Sequence, residues 1–473
     1  MSRKVIERIK SVVLAFLILL SFVLTGYLIF SAPSFEESSN GYLRPPYIGE
    51  EKNNQKSVFQ LAAPFQFIVH NQGNHYLALS HDQQFQQLFQ LIREAELTNF
   101  SEIKPTPEQW ELIFQKSMGV ELSFLRDSTI GQLDSFFKQT VLRDQPFIKE
   151  QKQISRILFF IEPKNNQIWA WFIADDTQTI IQAQPLQINV PLLENQIYKT
   201  AQISKYAVIP FPTNEKAPWD KENDKVPFSR IIYLPKNSFA IDSLTYNLQQ
   251  IDIEHMKQWL FTDPSVTPVQ LNNNESLYMY NDSNLQNDQI ITYNKQKNMM
   301  VYTNAPTETE KQSMLIREEL NEINQFIQRH RGWTNTYLLE QIHAGDHANE
   351  YIFRLFVNHL PVYWHQTKDH NTVYPDTIQF QVKSGSINKY ARSLYFLAKN
   401  QTKQQSKVTV PNRTQILALL KQKKIEPKQV KRLYLSYQAN PIEPQQILLT
   451  PVWRVEVING KTYDLSASSK EEK

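Results

Sequence analysis

The sequence predicts an α+β protein with antiparallel sheets, preceded by a single transmembrane helix. Three observations support this fold class. The chain begins with basic residues and an uninterrupted apolar run, its later strand-like runs are joined by short polar turns, and segments of helical period separate those runs. Helices interspersed with hairpins are typical of the α+β class. At 473 residues, the chain has room for about three domains after the transmembrane helix.

The amino-terminal apolar run is long enough to cross a bilayer once. At about 1.5 Å per residue, residues 12–30 extend roughly 28 Å, close to the roughly 30 Å of a hydrocarbon core. Positive charges remain on the cytoplasmic side and thereby set the topology. The charges in question are those of Arg3, Lys4, Arg8 and Lys10. We expect a cytoplasmic tail over residues 1–11, a signal anchor over residues 12–30 in the cell membrane, and an extracytoplasmic remainder.

A cleaved secretory signal is the alternative interpretation of this segment. Such a signal has an apolar core of about 7 to 15 residues and small residues at its cut site. Here the apolar run is longer, a cut after Ala32 would have bulky Phe30 at its third position upstream, and Pro33 would follow. A retained anchor is the better interpretation.

The composition excludes several kinds of site. The chain contains no cysteine, which excludes disulfides, thiolate metal sites, thiol catalysis and lipid attachment to cysteine. Its 50 basic and 47 acidic residues give a net charge of +3, which does not indicate a nucleic-acid partner. With 10 glycines, the chain has no phosphate loop, dinucleotide fingerprint or nucleophile elbow. We therefore expect no enzymatic activity and no cofactor.

A tether and three α+β domains are expected after the anchor. Residues 31–57 are rich in Pro, Gly, Ser and Asn, as linkers are. The domains are predicted over residues 58–150, 151–305 and 306–473. In the first domain, the predicted elements are a hairpin, two helices and a strand, at residues 64–69 with 75–80, 82–96, 106 onwards, and 120–125.

The second domain is predicted from two aromatic, β-branched runs that flank a polar turn, the pattern of an antiparallel hairpin. Its predicted helix covers residues 253–260. The charged, proline-rich stretch 210–227 is expected to be a surface loop. The predicted strands are residues 156–161, 168–173, 228–234, 275–281, 288–293 and 298–302.

The third domain is predicted to begin with a helix that has a capping box at Thr307 and Glu310 and ends near His330. A second helix over residues 413–423 also precedes strands, so an internal duplication is one interpretation. The predicted strands are residues 337–342, 351–357, 362–365, 377–382, 430–436, 446–457 and 461–465.

Four segments together resemble the YycH family, also called WalH, of regulatory membrane proteins. They are KSVVLAFL at residues 10–17, IYLP at 232–235, LFTDPS at 260–265 and PVWRV at 451–455. They occur in the family's order along nearly the whole chain, and no single one is a chemical signature. Residues 414–465 also resemble the YycI family and, more loosely, small PepSY-like modules.

The resemblance implies a single-pass protein that accompanies the essential WalK–WalR two-component system of low-GC Gram-positive bacteria. Its partners would be the sensor histidine kinase WalK (YycG), a YycI-like regulatory protein and the lipid bilayer. It would adjust kinase output and thereby cell-wall turnover, with inhibition and activation both open. The family has no known catalytic residue, so none is carried over to this sequence.

The predicted transmembrane helix offers one face on which a partner helix could pack. Small residues let helix backbones approach closely in lipid. At 100° per residue, four such residues fall within an arc of roughly 140°. They are Ala15, Ser21, Thr25 and Gly26. The alternative is a featureless anchor whose Ser and Thr hydroxyls bond to their own backbone.

His343 and His347 are the strongest metal-site candidates. Two histidines four residues apart on a helix, with an acid such as Glu350 nearby, can bind zinc. However, Gly345 and Asp346 between two strand-like runs favour a turn. We expect a solvated hairpin loop and no metal site.

Two other patterns have both a structural and a functional interpretation. Trp169 and Trp171 fall on one face of a predicted strand, where they could stack on a glycan, although core packing is favoured. The acidic pairs at residues 175–176 and 318–319 are expected to be solvated charges. The sequence thus predicts a non-enzymatic anchored regulator, and the alternative is an extracytoplasmic peptidoglycan-binding or wall-remodelling surface protein.

Overall fold

The described part of the chain, in a computed structural model, begins at the end of the predicted linker. It comprises residues 56–79, 83–138, 153–204, 206–214, 216–220, 230–261, 266–282, 287–304, 314–330, 332–345, 347–364, 376–443 and 445–466. The predicted cytoplasmic tail and anchor lie outside these residues. Among the described residues, no helix is both long and apolar enough to cross a membrane. All of them belong to one compact unit.

Most of the helices begin at a residue whose side chain caps a free backbone N–H. Thr106, Thr129, Asn189, Asp252 and Asn412 each accept a hydrogen bond from a first-turn N–H. The described helices are α1 Val58–Leu61, α2 Gln83–Arg93, α3 Pro107–Glu111, α4 Ile130–Phe136, α5 Val190–Ile203, α6 Ile253–Leu260, α7 Ile316–Arg329 and α8 Arg413–Gln422. A π-helical turn, Leu112–Lys116, continues α3.

The first sheet has nine strands in the described residues, all paired antiparallel, in the spatial order β3-β7-β6-β5-β4-β1-β2-β8-β9. They are β1 Gln66–Asn71, β2 Asn74–Ala78, β3 Glu96–Ile103, β4 Met118–Ser128, β5 Ile154–Glu162, β6 Gln167–Ala174, β7 Thr179–Leu186, β8 Tyr206–Pro212 and β9 Ile231–Pro235. Because side chains alternate along a strand, Phe67 and Val69 enter a core with α2, α4 and α5, whereas Ile68 enters a second core.

The second sheet has 14 described strands. They are β10 Phe239–Gln250, β11 Val269–Asn272, β12 Glu275–Asp282, β13 Asn287–Asn294, β14 Met299–Asn304, β15 Thr336–His343, β16 Asn349–Val357, β17 Leu360–Trp364, β18 Thr377–Lys383, β19 Ser386–Ser393, β20 Tyr395–Val410, β21 Val430–Glu443, β22 Gln446–Val457 and β23 Thr462–Leu465. Their order is β11-β12-β13-β14-β19-β18-β16-β17-β21-β22-β10-β20, with β15 beside β16 and β23 beside β22. Only β17 and β21 pair in parallel among these described strands.

The second core extends from the first sheet into the second. Leu158 and Trp171 of the first sheet belong to the same buried cluster as Phe353 and Trp453 of the second. Apolar burial is the main stabilising term in folding, so this continuous cluster holds the two sheets together.

Helix α7 covers part of the second sheet with one apolar stripe. Leu320, Ile323, Phe326 and Ile327 are buried, and the ring of Phe326 lies 5.5 Å from that of Tyr390 in an edge-to-face contact. The predicted capping box at residues 307 and 310 lies outside the described residues. The described helix begins at residue 316, where the Glu318 carboxylate accepts a hydrogen bond from the Leu315 N–H.

The α+β class with antiparallel sheets is confirmed. The strand pairing, however, crosses the predicted domain boundaries, because β4 pairs with β5 across residue 150 and β14 pairs with β19 across residue 305. The pairing therefore groups residues 66–235 and residues 239–465. The predicted surface loop is wrong at its start, because residues 206–212 form β8 between β2 and β9.

Candidate functional site: the seam between the two sheets

The residues predicted to set topology and to form the transmembrane face lie outside the described residues. They are Arg3, Lys4, Arg8, Lys10, Ala15, Ser21, Thr25 and Gly26. The first described residue after them is Lys56, near the end of the predicted linker. We call this point, where the linker meets the folded chain, the junction. Its contacts show how the folded chain holds the end of the linker.

The end of the predicted linker is hydrogen-bonded to α7. The backbone oxygen of Lys56 accepts hydrogen bonds from the Asn324 side-chain amide at 2.8 Å and from that of Gln328 at 3.4 Å. The indole N–H of the fully buried Trp333 donates to the other end of the Asn324 amide at 3.0 Å. Because both ends of this amide are bonded, Asn324 holds the junction in a fixed position on α7.

Helices associated with both sheets meet at this junction. Helix α1, which follows Ser57, contacts α4, α7 and β15. Helices α4 and α7 approach so closely that a Cβ atom on Gly131 would lie 2.5 Å from Cδ1 of Ile316. Leu133 of α4 belongs to the core of the first sheet, whereas α7 packs on the second. The junction therefore contacts elements of both halves of the chain.

A buried ion-pair cluster is formed by residues of β4 and β5 and by Asp175, which follows β6. The Arg156 guanidinium lies 3.4 Å from a Glu121 carboxylate oxygen and 3.1 Å from one of Asp175. The Tyr233 hydroxyl of β9 donates a hydrogen bond to Glu121 at 2.7 Å. Burial raises the pKa of Glu121, although Arg156 opposes this effect. Burial works against the charge of Arg156, yet Asp175 and Glu121 together raise its pKa.

A second cluster joins β4 of the first sheet to β21 and β22 of the second. Asp127 forms ion pairs with Arg432 and with Lys431, whose ammonium lies 2.9 Å away. Arg126 lies 2.6 Å from a Glu456 carboxylate oxygen. Burial works to raise the pKa of Asp127, but Arg432 and Lys431 outweigh it and lower that pKa. These charges therefore tie the two sheets to each other.

The charged contacts continue across the second sheet. Arg126 also lies 3.7 Å from Glu340 of β15, which in turn is 2.6 Å from the Arg354 guanidinium. That guanidinium lies 4.4 Å from the centre of the Tyr363 ring, and the Tyr363 and Tyr434 hydroxyls are hydrogen-bonded at 2.8 Å. We call this network of polar contacts the seam. Its residues are Glu121, Arg126, Asp127, Arg156, Asp175, Tyr233, Glu340, Arg354, Tyr363, Lys431, Arg432, Tyr434 and Glu456.

The seam encloses a polar cavity of about 60 Å³, lined in part by Glu121, Asp127, Arg156 and Arg432. Small-molecule sites measure about 300–1,000 Å³, so this cavity suits water and not an organic ligand. Breaking a buried ion pair by removing one partner costs about 3–5 kcal/mol. The geometry of the seam is therefore that of a rigid joint between the sheets.

Two histidines are buried beside the seam. The Nδ1 atoms of His70 and His75 lie 2.8 Å apart, and the His70 ring contacts Phe114 and Tyr233. Burial, then the charges of His75 and Arg156, lower the pKa of His70, and burial lowers the pKa of His75 to about 4. A hydrogen bond between two ring nitrogens needs one donor and one acceptor. Because both pKa values lie below the usual 6.5, both rings are neutral at pH 7.

The predicted hairpin loop at His343 is confirmed. His343 is the last residue of β15, Asn349 is the first of β16, and His347 lies in the connection between them. His343 is directly opposite Glu350 in the strand register. Within the described residues, no group of three His, Asp or Glu side chains is arranged to hold a metal ion.

The two predicted tryptophans pack as the core interpretation expects. Trp171 is buried, with its ring 5.2 Å from that of Trp110 in an edge-to-face contact. Trp169 is half-buried against the same core, and its indole donates to Glu162 at 3.2 Å. These contacts leave Trp171 no exposed face for stacking on a glycan.

The acidic pairs were predicted to be solvated, and this is wrong for one member of each. The Asp175 side chain is 7% exposed and ion-paired with Arg156, whereas Asp176 is 51% exposed. Glu319 is buried on α7, where the Tyr351 hydroxyl donates to it, and burial raises its pKa. Asp175 and Glu319 can be buried because Arg156 and Tyr351, which are distant in sequence, bond to them. No local pattern in the sequence indicates such partners.

The seam residues themselves were missed. Arg126 and Asp127 are adjacent in the sequence, and a charged pair near the end of a strand is more often solvated than buried. The alternation of β4 gave no indication of partners that lie about 300 residues further along the chain, such as Arg432 at a separation of 305.

Two family profiles match the chain. The profile "YycH protein, C-terminal domain" matches residues 229–472, and "YycH protein, N-terminal domain" matches residues 7–200. The chain belongs to the YycH family. The predicted resemblance is thus confirmed. A relative from Bacillus subtilis, the "Two-component system WalR/WalK regulatory protein YycH", is 22% identical over 475 residues, which cover 96% of this chain and 95% of that protein.

The fold of the YycH family is also found in a solved structure. The crystal structure of YycH from Bacillus subtilis superimposes with a TM-score of 0.63 at 17% identity, and the match covers 89% of this chain and 100% of that one. At this level of identity the likeness concerns the fold. The two YycH-family chains therefore share a mixed architecture of helices and antiparallel sheets.

Proposed function

We propose that this YycH-family chain is a membrane-anchored, non-enzymatic regulator of a WalK-like sensor histidine kinase. The observation that carries the proposal is the near-full-length correspondence to a regulatory protein of the WalR/WalK two-component system. The predicted anchor and its basic flank supply the position in the cell membrane that such a role requires.

In the proposed mechanism, the transmembrane helix packs against those of the kinase and of a YycI-like partner through Ala15, Ser21, Thr25 and Gly26. A regulator shifts a two-state equilibrium only by its differential affinity for the two states, typically 1–3 kcal/mol. The extracytoplasmic domains select the partner. The hydrogen bond from Asn324 to Lys56 supports this mechanism, because it fixes the end of the tether to the folded chain.

The test replaces the small-residue face by leucine. We expect the triple variant Ser21→Leu, Thr25→Leu, Gly26→Leu to co-purify less kinase and YycI-like partner and to change kinase output, with unaltered membrane insertion. A matched control changes the opposite face of the predicted helix by Val13→Leu, Leu20→Ile and Leu24→Ile. Unchanged co-purification and unchanged kinase output in the Ser21–Thr25–Gly26 variant would contradict the proposal.

A helix-only variant tests whether the anchor regulates the kinase while the extracytoplasmic domains select the partner. Residues 1–30 fused to an unrelated extracytoplasmic domain should retain part of the regulatory effect and lose selective pairing with the YycI-like partner. Sedimentation of the full chain with isolated cell walls, together with unchanged kinase output on its deletion, would favour the wall-binding alternative.

A further inference from the structure

A groove of about 350 Å³ lies between the two sheets, apart from the seam residues. Leu79, which follows β2, and Tyr206 of β8 line it from the first sheet. Asp242 of β10 and Tyr437 of β21 line it from the second. Its volume falls in the lower part of the range of small-molecule sites, about 300–1,000 Å³. Unlike the cavity of the seam, this groove is large enough for an organic ligand.

A two-residue hairpin turn adds polar side chains to the groove. Asn358 and His359 connect β16 to β17, and both have left-handed φ angles, 45° and 65°. Such turns favour glycine at the second position, because other residues meet a steric penalty there. His359 nevertheless occupies that position, and it lines the groove. The turn thus carries an imidazole where its own backbone would favour glycine.

The polar groups of the groove are held in place by their neighbours. The Tyr437 hydroxyl donates to the backbone oxygen of Asp242 at 3.0 Å. Tyr206 packs against Phe239, with ring centres 4.4 Å apart. Amide, imidazole and carboxylate groups together offer both donors and acceptors, and the Tyr206 ring adds an apolar surface.

The charges beside the groove are balanced. Asp242 lies directly opposite Lys407 of β20 in the strand register, so the two side chains are on the same face. Opposite charges at facing positions attract each other, so the Asp242 carboxylate has a compensating cation on the neighbouring strand. The groove therefore favours an uncharged ligand over an anion or a cation.

We propose that this groove binds an uncharged sugar unit. Ring hydroxyls would donate to the Asp242 carboxylate and accept from the Asn358 amide and the His359 imidazole, and the C–H face of the sugar would lie against Tyr206. Because both sheets line the groove, the bound sugar stabilises their relative arrangement by mass action. The binding is independent of the proposed kinase regulation, and an effect of the sugar on kinase output rests on that proposed function.

The test is calorimetric titration of the full-length chain in lipid nanodiscs, so that no sugar-based detergent competes. The probes are glucose, N-acetylglucosamine and its β-1,4-linked disaccharide, with phosphate and choline as charged comparisons. We expect saturable binding of at least one neutral sugar. Asp242→Asn and His359→Gly should each weaken it at least tenfold, and glycine suits the backbone at residue 359.

The matched control for His359→Gly is Gln72→Gly. Gln72 also has a left-handed φ, 49°, in a hairpin turn, but it does not line the groove, so sugar affinity should be unchanged. Binding of phosphate or choline alone, or of no probe, overturns the proposal. Unchanged affinity in a folded His359→Gly variant overturns the assignment to this groove. These titrations are independent of kinase co-purification, which tests the proposed function separately.

Discussion

Arg126 of β4 lies 2.6 Å from a carboxylate oxygen of Glu456 on β22, so a strand of the first sheet is ion-paired to a strand of the second. Glu456 is 4% exposed, whereas Arg126 retains 31% exposure. The same carboxylate also pairs with Arg432 at 3.2 Å. Two guanidinium groups on different sheets thus share one buried carboxylate, which makes the relative position of the sheets specific.

We expect Asp127→Asn to loosen this joint. The substitution leaves Arg432 and Lys431 without their shared carboxylate, and removal of one partner from a buried ion pair costs about 3–5 kcal/mol. Because the two cations are partly exposed, we expect a loss of about 3 kcal/mol in the free energy of unfolding, measured by urea denaturation. Glu94→Gln is the matched control, since its pair with Lys138 is half exposed and surface pairs contribute little. Equal effects of the two substitutions would contradict the role of the seam.

The buried histidine pair should make the chain less stable below neutral pH. The pKa of His75 in the folded chain, about 4, lies below its usual value of 6.5, so the unfolded chain binds more protons between these values. Stability is therefore lost as the pH falls from 6.5 towards 4, by about 2 kcal/mol. The pKa of His70 is lowered too and acts in the same direction. The raised pKa of Glu121 acts in the opposite direction.

The measurement compares the free energy of unfolding at pH 7 and pH 4.5 in the wild type and in the double variant His70→Asn, His75→Asn. Asparagine can replace the Nδ1 hydrogen bond and does not titrate. Glu121 and Arg156 are common to both proteins. A pH dependence that persists undiminished in the double variant would assign the effect to other groups.

We expect Asn324→Ala to release the end of the predicted linker. The substitution removes the 2.8 Å bond to the Lys56 carbonyl and the 3.0 Å bond from the buried Trp333 indole, at a cost of about 1–3 kcal/mol. Hydrogen exchange at the amides of α1 should become faster. Gln328→Ala is the control, because its bond to the same carbonyl is longer, 3.4 Å. Exchange rates that change equally in the two variants would argue against a fixed junction.

The close approach of α4 and α7 should tolerate no added side chain. A Cβ atom at residue 131 would lie within 3.0 Å of three atoms of Ile316, and overpacking of this kind costs about 1–3 kcal/mol. We expect Gly131→Ala to lower the thermal midpoint and Ile316→Ala, which removes two of those three atoms, to restore part of it in the double variant. Additive losses in the double variant would contradict a direct clash.

Local patterns predicted many elements well. Helix α6 and strand β22 have the predicted bounds, residues 253–260 and 446–457, because an apolar stripe or a β-branched run is visible without any partner. Strand β8 was missed because Pro210 and Pro212 favour a loop. Within β8, only residues 206–208 pair with β2, so these prolines lie where β8 has β9 as its one neighbour and a missing N–H is tolerated.

The candidate site was less predictable than the fold. Asp175 and Glu319 resemble ordinary surface acids in sequence, and they are buried only because Arg156 and Tyr351 reach them from other elements. The groove at His359 has one local signal, a histidine in a two-residue turn. Its other residues come from four further segments, so no window of sequence brings them together.

The sequence by itself determined the α+β class, most helices and hairpins and the membership of the YycH family, because these depend on periodicity, turn residues and short motifs that are local. Only the tertiary structure decided that the strands form two sheets and that buried charges join them. Burial of a charge depends on a partner's position in space. For Asp127 and Arg432 that partner is 305 residues away, beyond the reach of any local pattern.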